Sequence, residues 1–103
     1  MCNQPVFHYP RYIPVGRIIS IEAKTPSGVN LDSAKIDDTD LPILKTGENE
    51  YIIKTTVRKS GLQKINFKFS NNKETYILFE GMHNIRELME KRAEFILKYV
   101  NSL

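Results

Sequence analysis

From Arg17 to Ala23 apolar and polar side chains alternate, with Ile19, Ile21 and Ala23 on one side and Ser20 and Glu22 on the other. A period of two is that of a strand with one buried face. The same rhythm returns between Tyr51 and Arg58, where Tyr51, Ile53, Thr55 and Val57 oppose Ile52, Lys54, Thr56 and Arg58. Over 63–69 it places Ile65, Phe67 and Phe69 inward and Lys64, Asn66 and Lys68 outward, and 75–79 reads as the returning partner. Ser70-Asn71-Asn72-Lys73 between them predicts a tight hairpin, because Asn tolerates the positive φ such turns demand.

After Gly81 the period lengthens to about 3.6. Asn84 is a candidate N-cap with Glu87 three positions on, and Ile85, Leu88, Met89, Phe95, Ile96, Tyr99, Val100 and Leu103 fall on one helical face. Glu87–Lys91 and Glu94–Lys98 are spaced to pair along the other faces. Arg92 falls within the apolar stripe, where such a residue lays its stem over the core and leads its charge outward. The stripe runs to Leu103 without a Gly or Pro stop, so the sequence predicts that the structure continues beyond it.

The rest is less regular. Pro5, Pro10 and Pro14 predict an extended arm over 1–14, and Phe7, Tyr9, Tyr12 and Ile13 make that arm too apolar to hang free. Pro26-Ser27-Gly28 predicts a turn, while Val29 to Glu50, broken by Asp32, Asp37, Asp38 and Asp40, allows only short strands near 29–31 and 42–44. The expected architecture is therefore mainly β: an immunoglobulin-like antiparallel β-sandwich over 15–82, preceded by the arm 1–14 and followed by one amphipathic helix over 83–103 packed on the sheet or a partner.

A chain of 103 residues with 41% hydrophobic and 26% charged residues has the profile of one soluble folded domain. A single cysteine, Cys2, excludes an internal disulfide and a zinc cage, and neither a membrane span nor a signal peptide is legible. Charge is uneven: residues 1–50 carry five basic and seven acidic side chains, whereas 51–103 carry ten and five, which together make the net +3.

That basic excess falls on the strands, where Lys54, Arg58, Lys64 and Lys68 are candidates for a polyanion-binding sheet face. Phe67 and Phe69 alternate away from these lysines and cannot stack bases beside them, so a solvated face is favoured and nucleic acid is not the expected partner. Asp37-Asp38-Thr39-Asp40 offers oxygen ligands to a cation but lacks the glycine and terminal glutamate of a helix-loop-helix calcium site, so it reads as a solvated acidic loop. His8 and His83 have no cysteine near them, and Gly16, Gly28, Gly47, Gly61 and Gly81 read as isolated turn glycines and not a phosphate loop. No catalytic residue, cofactor or metal site is predicted, and the chain is expected not to be an enzyme.

Two consecutive stretches, Gly61-Leu-Gln-Lys-Ile-Asn-Phe-Lys-Phe-Ser-Asn-Asn-Lys-Glu-Thr-Tyr-Ile-Leu-Phe and Ile85-Arg-Glu-Leu-Met-Glu-Lys-Arg-Ala-Glu-Phe-Ile, form a final hairpin leading into a helix. This resembles the junction between an N-terminal β-sandwich and the first helix of the α/α-toroid in bacterial six-hairpin glycosidase-like proteins. The resemblance covers the C-terminal two-fifths and implies an extracytoplasmic, non-catalytic accessory module of a carbohydrate-active protein, with the carboxylate catalysts in a toroid. Its contacts would be apolar, with Tyr9, Tyr12, Ile85, Leu88, Met89, Phe95, Ile96 and Tyr99 meeting a protein or adjacent domain. The competing expectation is a stand-alone α+β protein that binds nucleic acid through its basic sheet.

Overall fold

A computed structural model describes residues 4–83, Arg86 and residues 89–94. The described strands form two sheets packed face to face. The first sheet has the order β1-β3-β7-β6, from Val6–His8, Ile18–Lys24, Glu50–Thr56 and Ile43–Gly47. The second has the order β2-β9-β8-β4-β5, from Tyr12–Pro14, Glu74–Met82, Gly61–Phe69, Leu31–Ile36 and Thr39–Asp40. Every pairing is antiparallel except that of β2 with β9, which is parallel. The mainly β sandwich expected from the alternation is thus the observed fold, and Arg86 and residues 89–94 are helical.

Burial follows the alternation residue by residue. On β3 and β7 the buried side chains are Ile19, Ile21, Ala23, Tyr51 and Ile53, and on β8 and β9 they are Ile65, Phe67, Phe69, Ile77, Phe79 and Met82. Each large aliphatic or aromatic side chain withdrawn from water in this way contributes about 1.5–3 kcal/mol. The two layers meet directly where Phe7 of β1 stacks on Phe67 of β8, with ring centroids 4.5 Å apart. No described buried side-chain polar atom lacks a hydrogen-bond partner.

The proline-spaced arm is built into both layers. Phe7 pairs with Ala23 at the edge of the first sheet, and five residues later Tyr12 pairs with Glu80 at the edge of the second. Pro10 lies between the two strands, at a place where no ladder donor is needed.

The middle segment departs from expectation. In place of short strands near 29–31 and 42–44, β4 runs through Leu31–Ile36 and β6 through Ile43–Gly47, with β5 between them. Asp32 is accommodated by a register shift between Leu31 and Ser33, and Asp37 and Asp38 are the central pair of a two-residue hairpin joining β4 to β5. Both have positive φ, 47° and 65°, as a turn of the I′ kind requires and as Asp can tolerate.

Asn49 performs a related task between β6 and β7. It has φ 62°, and its side-chain amide donates to Thr25 Oγ1, the Pro26 carbonyl and the Val29 carbonyl at 3.1, 2.7 and 3.1 Å. The Thr25 amide in turn donates to the Asn49 carbonyl. One side chain therefore fixes the exit of β3 and the approach to β4.

Gly81 is not a turn residue. It lies buried inside β9, opposite Gly61 of β8 and Ile13 of β2. A Cβ there would collide with the Lys59 carbonyl oxygen and crowd Gln63 Nε2 and Val57 Cγ1. The segment from Val57 to Ser60, which carries the chain from the first sheet to the second, lies directly on this α-carbon.

Two outcomes follow for chemical denaturation followed by circular dichroism. Gly81→Ala is expected to lose about 1–3 kcal/mol, the cost of overpacking, and an unchanged midpoint would contradict the close approach. Asn49→Ala removes a donor to three acceptors and a residue tolerant of positive φ, and is expected to lose about 2–3 kcal/mol; a loss no larger than that of a surface alanine would contradict the clamp.

Candidate binding face on the five-stranded sheet

The four basic residues singled out from the sequence do not share a face. Lys54 is exposed on β7, opposite Ser20, on the outer side of the four-stranded sheet. Arg58 lies past the end of β7 and lines a depression between the sheets with Ile36, Thr39, Leu41 and Thr55. Lys64 and Lys68 project from β8 on the outer side of the other sheet. The cause is topological: β7 and β8 are consecutive in the chain but belong to different layers, so their outward side chains point in opposite directions.

What the fold does bring to Lys64 and Lys68 comes from β9 and β4. The register places Leu78 opposite Lys64, Tyr76 opposite Asn66 and Glu74 opposite Lys68, while Lys35 of β4 lies on the other side of Asn66. The Lys64 ammonium stands 4.4 Å from the centroid of the Tyr76 ring, a cation–π contact. Phe67 and Phe69 are indeed turned inward, as the alternation required, yet an aromatic ring lies beside these lysines after all. It is supplied by the neighbouring strand, and the hairpin register was the signal that could have found it.

The face is unusually apolar for an outer surface. Leu62, Tyr76 and Leu78 are 69%, 54% and 41% exposed, although each lies within a paired strand. With Tyr9, Arg11 and Tyr12 they line a shallow depression at the β2 side of the sheet. A second depression beside it is lined by Ser33, Lys35, Asn66, Lys68 and Glu74. Lys35 is held near Asp40, with Nζ to Oδ1 at 3.8 Å, whereas Lys68 and Arg11 have no ion-pair partner among the described residues.

Tyr9 and Tyr12, expected as docking residues, are both half-buried, and Tyr9 packs against the core as well. Of the helical stripe, only Met89 is described, and it is 64% exposed. Ile85, Leu88, Phe95, Ile96 and Tyr99 lie outside the described residues, as do the partners Glu87 and Lys98 of the expected helical ion pairs. An Arg86–Glu90 pair at 3.5 Å occupies the i, i+4 spacing. Arg92 extends its guanidinium toward the Tyr12 carbonyl at 3.4 Å, which ties the helical segment to the start of β2.

The acidic stretch is occupied in turn formation. Asp37 also pairs with Lys59, at 3.4 Å, bridging the β4–β5 hairpin to the crossover between sheets. No group of three His, Cys, Asp or Glu side chains suited to a metal ion occurs among the described residues, and His8 and His83 are separately exposed. No described helix is long and apolar enough to cross a membrane.

No family model matches the sequence, and no curated protein matches it. Among solved structures, a polysaccharide lyase superimposes with a TM-score of 0.68 at 19% identity, covering 90% of this chain and 14% of the lyase. At that identity the likeness defines a shared β-sandwich fold, and this chain spans about one-seventh of the larger protein's length. The six-hairpin toroid is not among the features this likeness supports.

The turn assignment for the acidic stretch has a direct check. Asp38→Gly is expected to raise stability by about 0.5–1 kcal/mol, because glycine adopts positive φ without strain. Added calcium is expected to leave the melting temperature unchanged. A calcium-dependent rise that Asp38→Gly abolishes would contradict the assignment.

Proposed function

We propose that this chain serves as a non-catalytic β-sandwich module of a carbohydrate-active protein. The observation that carries this reading is the structural likeness, over 90% of the chain, to a segment making up 14% of a polysaccharide lyase. A domain of this kind supplies surface and not chemistry. Its described side chains make a continuous core, two outer sheet faces and a short helical segment tied to β2, and each of its acidic clusters is engaged by turn geometry or a lysine.

Within this reading the residues of the expected stripe, Ile85, Leu88, Met89, Phe95, Ile96 and Tyr99, meet an adjoining domain, with Tyr9 and Tyr12 as further docking residues. The nucleic-acid alternative loses its main support from the separation of Lys54 and Arg58 from Lys64 and Lys68. A polyanion-binding sheet built from all four would need β7 and β8 side by side.

The test has two parts. Incubated alone with a panel of neutral and acidic polysaccharides, the purified chain is expected to release no oligosaccharides. Sequencing of the natural transcript is expected to show a carbohydrate-active catalytic domain joined to it. Depolymerisation by the chain alone, or a natural polypeptide with no such domain, would overturn the proposal.

A further inference from the structure

The outer face of the five-stranded sheet combines two properties that seldom coincide on a solvated surface. One half is apolar, formed by Tyr12, Leu62, Tyr76 and Leu78, and the other is a polar field in which Lys35, Lys64 and Lys68 surround Asn66. Lys64 joins the halves by lying over the Tyr76 ring. From this we propose that the face binds a glycan strand carrying carboxylate groups, laid across the strands from β2 to β4.

The chemistry of the two halves selects the ligand. The C–H surface of a sugar ring is apolar and packs on an aromatic or aliphatic platform, which exposed Tyr76, Leu78 and Leu62 provide. Hydroxyl groups need both donors and acceptors; Asn66 and the lysines donate, while Glu74 and Glu80 accept. Carboxylates on the ligand meet the Lys35, Lys64 and Lys68 ammoniums in charge-assisted hydrogen bonds. From β2 to β4 the sheet spans three strand spacings, about 14 Å, which is the reach of a short oligosaccharide and not of a single ring.

The same observations disfavour a nucleic acid. Glu74 faces Lys68 across the ladder, and Glu80 lies beside Tyr12. Two carboxylates at these positions repel a continuous phosphate backbone but suit a hydroxyl-rich chain whose charges are spaced apart. One exposed ring beside the lysines also gives a single stacking position, whereas strand-like nucleic acids use successive ones.

This inference rests on the carbohydrate-active reading for its ligand class, and its experiment fails separately. Affinity gel electrophoresis of the whole chain uses polygalacturonate as the carboxylated probe, dextran as the neutral one and oligo-dT as a polyphosphate. Retardation is expected in polygalacturonate and not in dextran or oligo-dT. Tyr76→Ala and Lys64→Ala are each expected to weaken it about fivefold to tenfold, while Tyr76→Phe keeps it, as do Lys54→Ala and Arg58→Ala elsewhere on the domain.

All these side chains are exposed, so unchanged circular dichroism and melting establish that the variants are folded. No retardation in polygalacturonate, equal retardation in dextran or oligo-dT, or binding that survives Tyr76→Ala would overturn the site. So would a dimer in sedimentation that Tyr76→Ala disperses, which would make a second copy the occupant. Loss of the site with a catalytic carbohydrate domain present in the natural polypeptide leaves the module reading intact. Specific polygalacturonate binding without such a domain has the reverse meaning.

Discussion

The constraint on which the structure depends is the burial of one face of every long strand against another layer. Ile19, Ile21 and Ile53 from one sheet and Ile65, Phe67 and Phe79 from the other are each withdrawn from water almost completely. Neither sheet has a second partner for that face among the described residues. The described chain passes between the two layers five times, and after β7 it enters the second sheet at β8 through the short segment around Val57 to Ser60. Its passage requires a bare α-carbon beneath it, which Gly81 supplies. The Val57 amide and carbonyl are anchored to Arg17 and Gly16, so the crossover is held from both sides.

The crossing from β7 to β8 decides how the basic residues are divided. It sends Lys54 to one outer face and Lys64 and Lys68 to the other, dividing a charge cluster that is contiguous in the sequence. It also leaves β8 between β9 and β4, so that residues distant in the sequence share one face. Tyr76 and Leu78 come from β9, Lys35 from β4 and Tyr12 from β2, and their outward neighbours on β8 are Leu62, Lys64, Asn66 and Lys68. The binding face is thus a product of sheet order and register, and none of its features is a local motif.

Legibility followed the same division. Where one strand has a buried and an exposed face, the period of two identified it directly, as for Ile19, Ile21 and Ala23, or for Ile65, Phe67 and Phe69. The hairpin at Ser70 to Lys73 was equally legible, with Asn72 adopting a φ of 64°. The strands around Asp37 and Asp38 were not, because acidic residues that serve a tight turn look like a solvated loop when their φ angles are unknown. Gly81 reads as a turn glycine in the sequence because its role depends on a segment more than twenty positions away. Sheet membership of consecutive strands was the largest omission: a period of two tells which face is buried but not which strand lies next to it. Most of the helical stripe lies outside the described residues.

The central claim is that β7 and β8 lie in opposite layers, and a distance between their outward positions measures it most directly. Spin labels at Lys54→Cys and Lys64→Cys, on a Cys2→Ser background, read that distance by pulsed electron resonance. The two-layer arrangement predicts roughly 20 Å or more, the ~10 Å between packed sheets plus two label arms. A distance of about 10 Å or less, as neighbouring strands of one sheet would give, would contradict it and restore a single basic face.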